Sequence, residues 1–167
     1  MIAPPEALVN LLEPWNRFYS HSKSTQTLVM FLHLGGLMLA GGLAIAADRG
    51  TLRALRIAAQ ERPNHLRELA DVHRWVIGGL ALVVASGVVQ LASDIETFFG
   101  SGIFWVKMVL VVSLLVNGLM MTRTEDVLRR DDGENAPAWR RLHRIAVTSL
   151  ALWFVTAAAG VALVNFS

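Results

Sequence analysis

The sequence predicts an all-α protein: a bundle of four transmembrane helices preceded by a short interfacial amphipathic helix. Two observations carry this. Four apolar runs, 25–47, 75–92, 103–121 and 145–166, are each long enough to cross a hydrocarbon core of roughly 30 Å at about 1.5 Å per residue. Twelve of the fifteen basic residues are arginines placed in only two connections, between runs one and two and between runs three and four. Short arginine-rich connections stay in the cytoplasm, so both termini are expected in the periplasm of a bacterial inner membrane. Residues 1–167 then form a single integral membrane domain whose first partner is the lipid bilayer.

The elements follow in order. Over 4–19, Leu8, Leu11, Leu12, Trp15, Phe18 and Tyr19 recur at helical spacing with polar residues between them. This suits a helix on the membrane surface, serving as an anchor or as a docking surface, with Pro14 expected to kink or split it. Ser20–Ser24 supplies a turn before span one. The first arginine-rich connection is expected to continue as helix through Leu52–Gln60, break at Pro63 and restart from Asn64 as a cap. The short link Ser93–Gly102 makes spans two and three antiparallel neighbours, and Asp131–Asn135 with Pro137 reads as an exposed turn.

Composition narrows the function classes. The chain is 54% hydrophobic and 17% charged, with a formal net charge of +2 and no cysteine. Thiol catalysis, thiolate metal sites and disulfides are excluded. Acidic residues, Glu125 among them, are interleaved in both basic connections, which suits anionic headgroups and not a nucleic-acid groove. The spans as bounded contain no carboxylate, which argues against a proton pump or an ion-coupled transporter.

Three histidines are the candidate cofactor-binding residues. His73 and His143 enter spans two and four from the same side, as axial ligands of a b-type haem on two helices would. Yet Gly79, Ser86, Gln90 and Ser93 mark the packing face of span two, and Ser149, Thr156 and Gly160 that of span four. Both histidines are expected to point away from those faces, at the headgroup boundary. His33 lies inside span one on a face with Gly36, Ala40, Ala44 and Ala47, where an ionisable group is a functional candidate. It could ligate haem, copper or the magnesium of a chlorophyll-type pigment, or donate one hydrogen bond to a neighbouring helix. Lys107 is expected either to pair with Asp94 or Glu96, or to line a pocket with His33 for an anion or a quinone head group. Asn117 and Gln90 read as interhelical glue.

Spans one and two also resemble spans three and four. HRWVIGGLALVVASGVVQLA from His73 aligns without gaps on HRIAVTSLALWFVTAAAGVALV from His143. Arg49 placed on Arg123 brings His33 onto Lys107. A parallel tandem repeat would give a pseudo-twofold axis along the membrane normal.

The stretches FLHLGGLMLAGG, ADVHRWVIGGL and DIETFFGSGIFWVKMVLVVSLLVNG resemble small four-helix bacterial inner-membrane proteins. They are also similar to copper-resistance D-type membrane domains and to four-helix b-type cytochromes. His33, His73 and Trp105 with Lys107 carry that resemblance, which implies bound haem or metal. A diheme arrangement would need a histidine pair at each membrane face, and one face offers His33 against Lys107. With no catalytic constellation visible, the leading expectation is a non-catalytic inner-membrane subunit or binding protein. It would be an accessory component of a respiratory or photosynthetic complex, joined to other subunits or to itself through its small-residue stripes. A haem or pigment protein and a copper or small-solute carrier are the alternatives.

Overall fold

The computed structural model describes residues 3–54, 62–131 and 135–166, with backbone alone for 62–71, 164 and 166. The described residues are almost entirely helical. In chain order the helices are α1 (Glu6–His21), α2 (Lys23–Ala54), α3 (Arg62–Ser93), α4 (Ile95–Gly100), α5 (Gly102–Arg130) and α6 (Ala136–Phe166). Long segments of α2, α3, α5 and α6 are apolar enough to cross a membrane, and much of their bulk faces outward. Met38 is 76% exposed and Val109 67%. Side chains of that kind, spread over all four helices, are covered by lipid, so the chain is a multi-pass membrane protein.

Helices α2 and α3 pair closely, as do α5 and α6, and the two hairpins meet mainly through α2 and α6. The α3–α5 side is thinner, so spans two and three are antiparallel but not close partners. The reason is steric. Gly36, Ala40 and Gly79 allow backbone contact between α2 and α3, where a side chain at Gly79 would lie 2.9 Å from the Ala40 Cβ. Gly41 receives the face of Trp153, which seats α6 on α2. Ala40, Leu114 and Trp153 form a small apolar core at mid-height.

The start of α1 and the end of α6 lie at the end of the bundle that carries α4, opposite the arginine-rich end. Asp94 caps α4 by accepting a hydrogen bond from the Thr97 backbone N–H. An aromatic cluster of Phe98, Phe99, Phe104 and Trp105 follows, suited to headgroup depth. The surface helix α1 leans on this end, where Trp15 Nε1 donates to the Val89 carbonyl at 3.3 Å.

Three local expectations are corrected. Helix α1 runs unbroken through Pro14; Pro14 and Asn10, whose carbonyl it leaves unbonded, are both exposed, so water or headgroups satisfy that oxygen. Helix α3 begins at Arg62 with Pro63 in its first turn, where a missing N–H costs nothing. The link between spans two and three holds the six-residue helix α4. Helix α2 continues to Ala54, whereas the expectations for 55–61 and for the turn at 132–134 fall outside the described residues.

Helix length is the feature that positions the candidate site. At about 1.5 Å per residue, the 32 residues of α2 and 29 of α5 outreach a hydrocarbon core of roughly 30 Å. Their excess projects at the arginine-rich end, together with the start of α6. There Ala54, Met121, Leu128, Trp139, Leu142 and Ile145 close around a second apolar core.

Candidate functional site: polar clusters at the two ends of the bundle

The projecting part of the bundle buries charge at its base. Asp48 of α2 is 1% exposed, and Glu125 of α5 is 0%. Three of their carboxylate oxygens, Asp48 Oδ2 and both of Glu125, have no hydrogen-bond partner among the described residues. His73 of α3 presents Nδ1 at 3.5 Å from Glu125 Oε2, and its side chain is 18% exposed. Arg129, one turn further on α5, approaches the same oxygen at 3.9 Å but lies closer to Asp126, at 3.1 Å. Ser149 of α6 is within hydrogen-bonding reach of Asp48. Thr51, one turn beyond Asp48, is fully enclosed with its hydroxyl unpartnered. All four long helices therefore contribute to an acidic cluster.

This overturns one sequence expectation: Glu125 is not a solvated loop charge. The apolar runs hold no carboxylate, but the helices enclose two just beyond them. Asp48 follows the last residue of the first apolar run and Glu125 lies four beyond the third. Hydropathy ends the spans there, but the helices continue and pack. The angular argument also fails for His73, which turns inward to Glu125. It holds for His143, which is exposed on α6.

A second cluster sits towards the α4 end. His33 Nδ1 lies 3.0 Å from Ser86 Oγ, and the ring edge covers Gly87. The Ser86 hydroxyl also lies 2.6 Å from the Leu82 carbonyl and 3.1 Å from that of Val83, and the His33 ring itself reaches the Val83 backbone. Lys107 of α5 lies over Gly160 of α6, with Nζ 3.7 Å from the position a Cβ would take there. It is near enough to His33 for their charges to interact. It makes no ion pair with Asp94 or Glu96; both acids are exposed, and Asp94 is spent on its cap. Thr156 Oγ1 and Gln90 Nε2 are buried without partners. Asn117, between the two ends, is glue as expected, donating to the Ile145 carbonyl at 3.2 Å.

The internal alignment places alike residues that are buried alike. In the register that sets Arg49 on Arg123, Thr51 falls on Glu125 and His33 on Lys107. In the register that sets His73 on His143, Ser86 falls on Thr156. Thr51 and Glu125 are both fully enclosed, and Ser86 and Thr156 are both buried.

The three candidate histidines are not brought together. Ser86, the partner of His33, stands thirteen residues beyond His73 on α3, about 20 Å along the axis. A haem shared by His73 and His143 would need both rings turned to a common space; one turns to Glu125 and the other lies on the surface. Among the described residues, no three His, Asp or Glu side chains are grouped to hold a metal ion. A groove of about 430 Å³ between α1 and α4, lined by Asn16, Arg17, Asp94 and Glu96 among others, lies on the surface of the α4 end.

Residues 19–167 match the model of a family described as one of unknown function, DUF6644. No curated protein and no solved structure matches the chain.

Proposed function

We propose that this chain, which belongs to the DUF6644 family, is a non-catalytic membrane protein that takes up and releases a proton at its arginine-rich end. The observation that carries this reading is the enclosed pair Asp48 and Glu125, with three carboxylate oxygens that meet no hydrogen-bond donor among the described residues. Two carboxyl groups enclosed in this way do not both carry an uncompensated charge, because desolvation costs several kcal/mol per ion. His73 and the partly committed Arg129 offset one of them, and a proton offsets the other.

A proton suits the site better than a metal ion. It needs no ligand sphere, and α2 and α5 run unbroken through the cluster, so their carbonyls remain in helix bonds. His73 is the natural relay, being partly exposed on one side and facing Glu125 on the other. Its Nδ1 stands 3.5 Å from Glu125 Oε2, so one bridging water or a small side-chain shift completes the path; an imidazolium that gives up that proton to Glu125 leaves both groups neutral and is reprotonated from solvent. If the arginine-rich end is cytoplasmic, as the charge bias predicts, uptake occurs from the cytoplasm.

Of the earlier expectations, a binding protein is thus favoured over a subunit held by its glycine stripe. Gly36 and Ala40 already contact Gly79 of the same chain and are not free for a partner. The test is infrared spectroscopy of the purified protein in detergent at neutral pH. A protonated-carboxyl band is expected, lost in the double variant Asp48→Asn, Glu125→Gln. If the wild-type protein has no such band, the reading fails.

A further inference from the structure

The α4 end gathers buried polar groups, two of which, Thr156 Oγ1 and Gln90 Nε2, have no hydrogen-bond partner among the described residues. Lys107 is mostly buried and turned into the bundle over Gly160, where the absent side chain leaves room for its ammonium group. Its charged neighbour inside the bundle is His33, a base, and it has no carboxylate partner among the described residues. Thr156, one turn from Gly160 on α6, is 6% exposed with its hydroxyl unpartnered. Gln90, one turn from Ser86 on α3, has a buried amide nitrogen without an acceptor. A cation held within a span is costly unless something of opposite charge meets it.

We infer that the α4 end binds an oxyanion, a carboxylate or phosphate group seated between Lys107 and His33. The inference is independent of the proton reading, since it uses none of the same residues. Lys107 supplies the charge. His33 stands beside it, its Nδ1 3.0 Å from Ser86 Oγ. Thr156 and Gln90 add neutral donors at the same end. The anion could arrive free from solution or as the phosphate of a lipid headgroup, and the thin α3–α5 side offers lipid a lateral approach.

The experiment follows the His33 imidazole nitrogen signals by NMR in full-length protein purified and delipidated in an uncharged detergent. Inorganic phosphate is titrated in one arm, and a short-chain phosphatidylglycerol in the other. A saturable shift of the His33 signals is expected in at least one arm, and the responding arm identifies the source. Lys107→Gln should weaken the response at least tenfold. Lys107→Met, an apolar side chain of similar length that lipid tolerates, serves if the glutamine variant does not fold. A wild-type protein silent in both arms, or a Lys107 variant that responds unchanged, overturns the inference.

Discussion

The two ends of this bundle are built from the same four helices and carry opposite polar characters. The arginine-rich end encloses oxygens that lack donors, on Asp48 and Glu125. The α4 end holds a lysine, Lys107, over Gly160, and polar atoms of Gln90 and Thr156 that meet no partner among the described residues. Asp48 and His33 stand fifteen residues apart on α2, about 22 Å, and the packed Ala40, Leu114 and Trp153 lie between. The ends differ in how their polarity is tolerated. Asp48 and Glu125 lie where the helices have left the hydrocarbon but still pack against one another, so protein excludes the water. His33 and Lys107 lie within the lipid-facing length, and their polarity is tolerated only because it faces other helices. Similar helices thus host a cation-seeking site at one end and an anion-seeking site at the other.

That contrast can be broken by placing the wrong charge at the acidic end. Glu125→Lys would set a buried ammonium beside His73 and Arg129 and should cost about 3–5 kcal/mol, as for a broken buried ion pair. Thermal unfolding in detergent would show it as the largest loss of this set. His73→Ala removes the imidazole that faces Glu125 at 3.5 Å and should cost about 1–3 kcal/mol, the range for a buried polar group left without its partner. The same scan measures it, and a melting temperature equal to wild type would mean that His73 and Glu125 are not coupled. Asn117→Leu tests the middle of the bundle, where one interhelical hydrogen bond should be worth about 0.6 kcal/mol. His143→Ala should leave the melting temperature unchanged, because the ring is exposed on α6. Equal effects from the two histidine substitutions would remove the distinction the structure draws between them.

Much of the architecture was legible from hydropathy and charge. The four spans and the N-terminal helix follow from the periodicity and length of the apolar runs, because lipid imposes a length and a composition that no single contact can override. The acidic cluster was less legible. Asp48 and Glu125 sit just past the apolar runs, among arginines, where a carboxylate usually faces water. The available signal was the continuation of helical periodicity past the last apolar residue, with Thr51, Ala54, Met121 and Leu128 on the same buried faces. The wheel argument placed His143 correctly and His73 wrongly for a related reason. It used the seam of the membrane-embedded part, whereas His73 packs in the projecting part, where α5 is the neighbour that matters.

The sequence by itself determined which segments enter the bilayer, because burial in hydrocarbon depends on local composition summed over a span. It also determined where glycine and alanine would let helices approach. The tertiary structure alone decided which polar residues meet. A helix turns through a full circle in fewer than four residues, so rotation and lateral pairing, set by Gly36 on Gly79 and Trp153 on Gly41, choose what each side chain faces. Those contacts lie far from Asp48 and Glu125 in sequence, and through them two residues that read as loop charges are enclosed on facing helices.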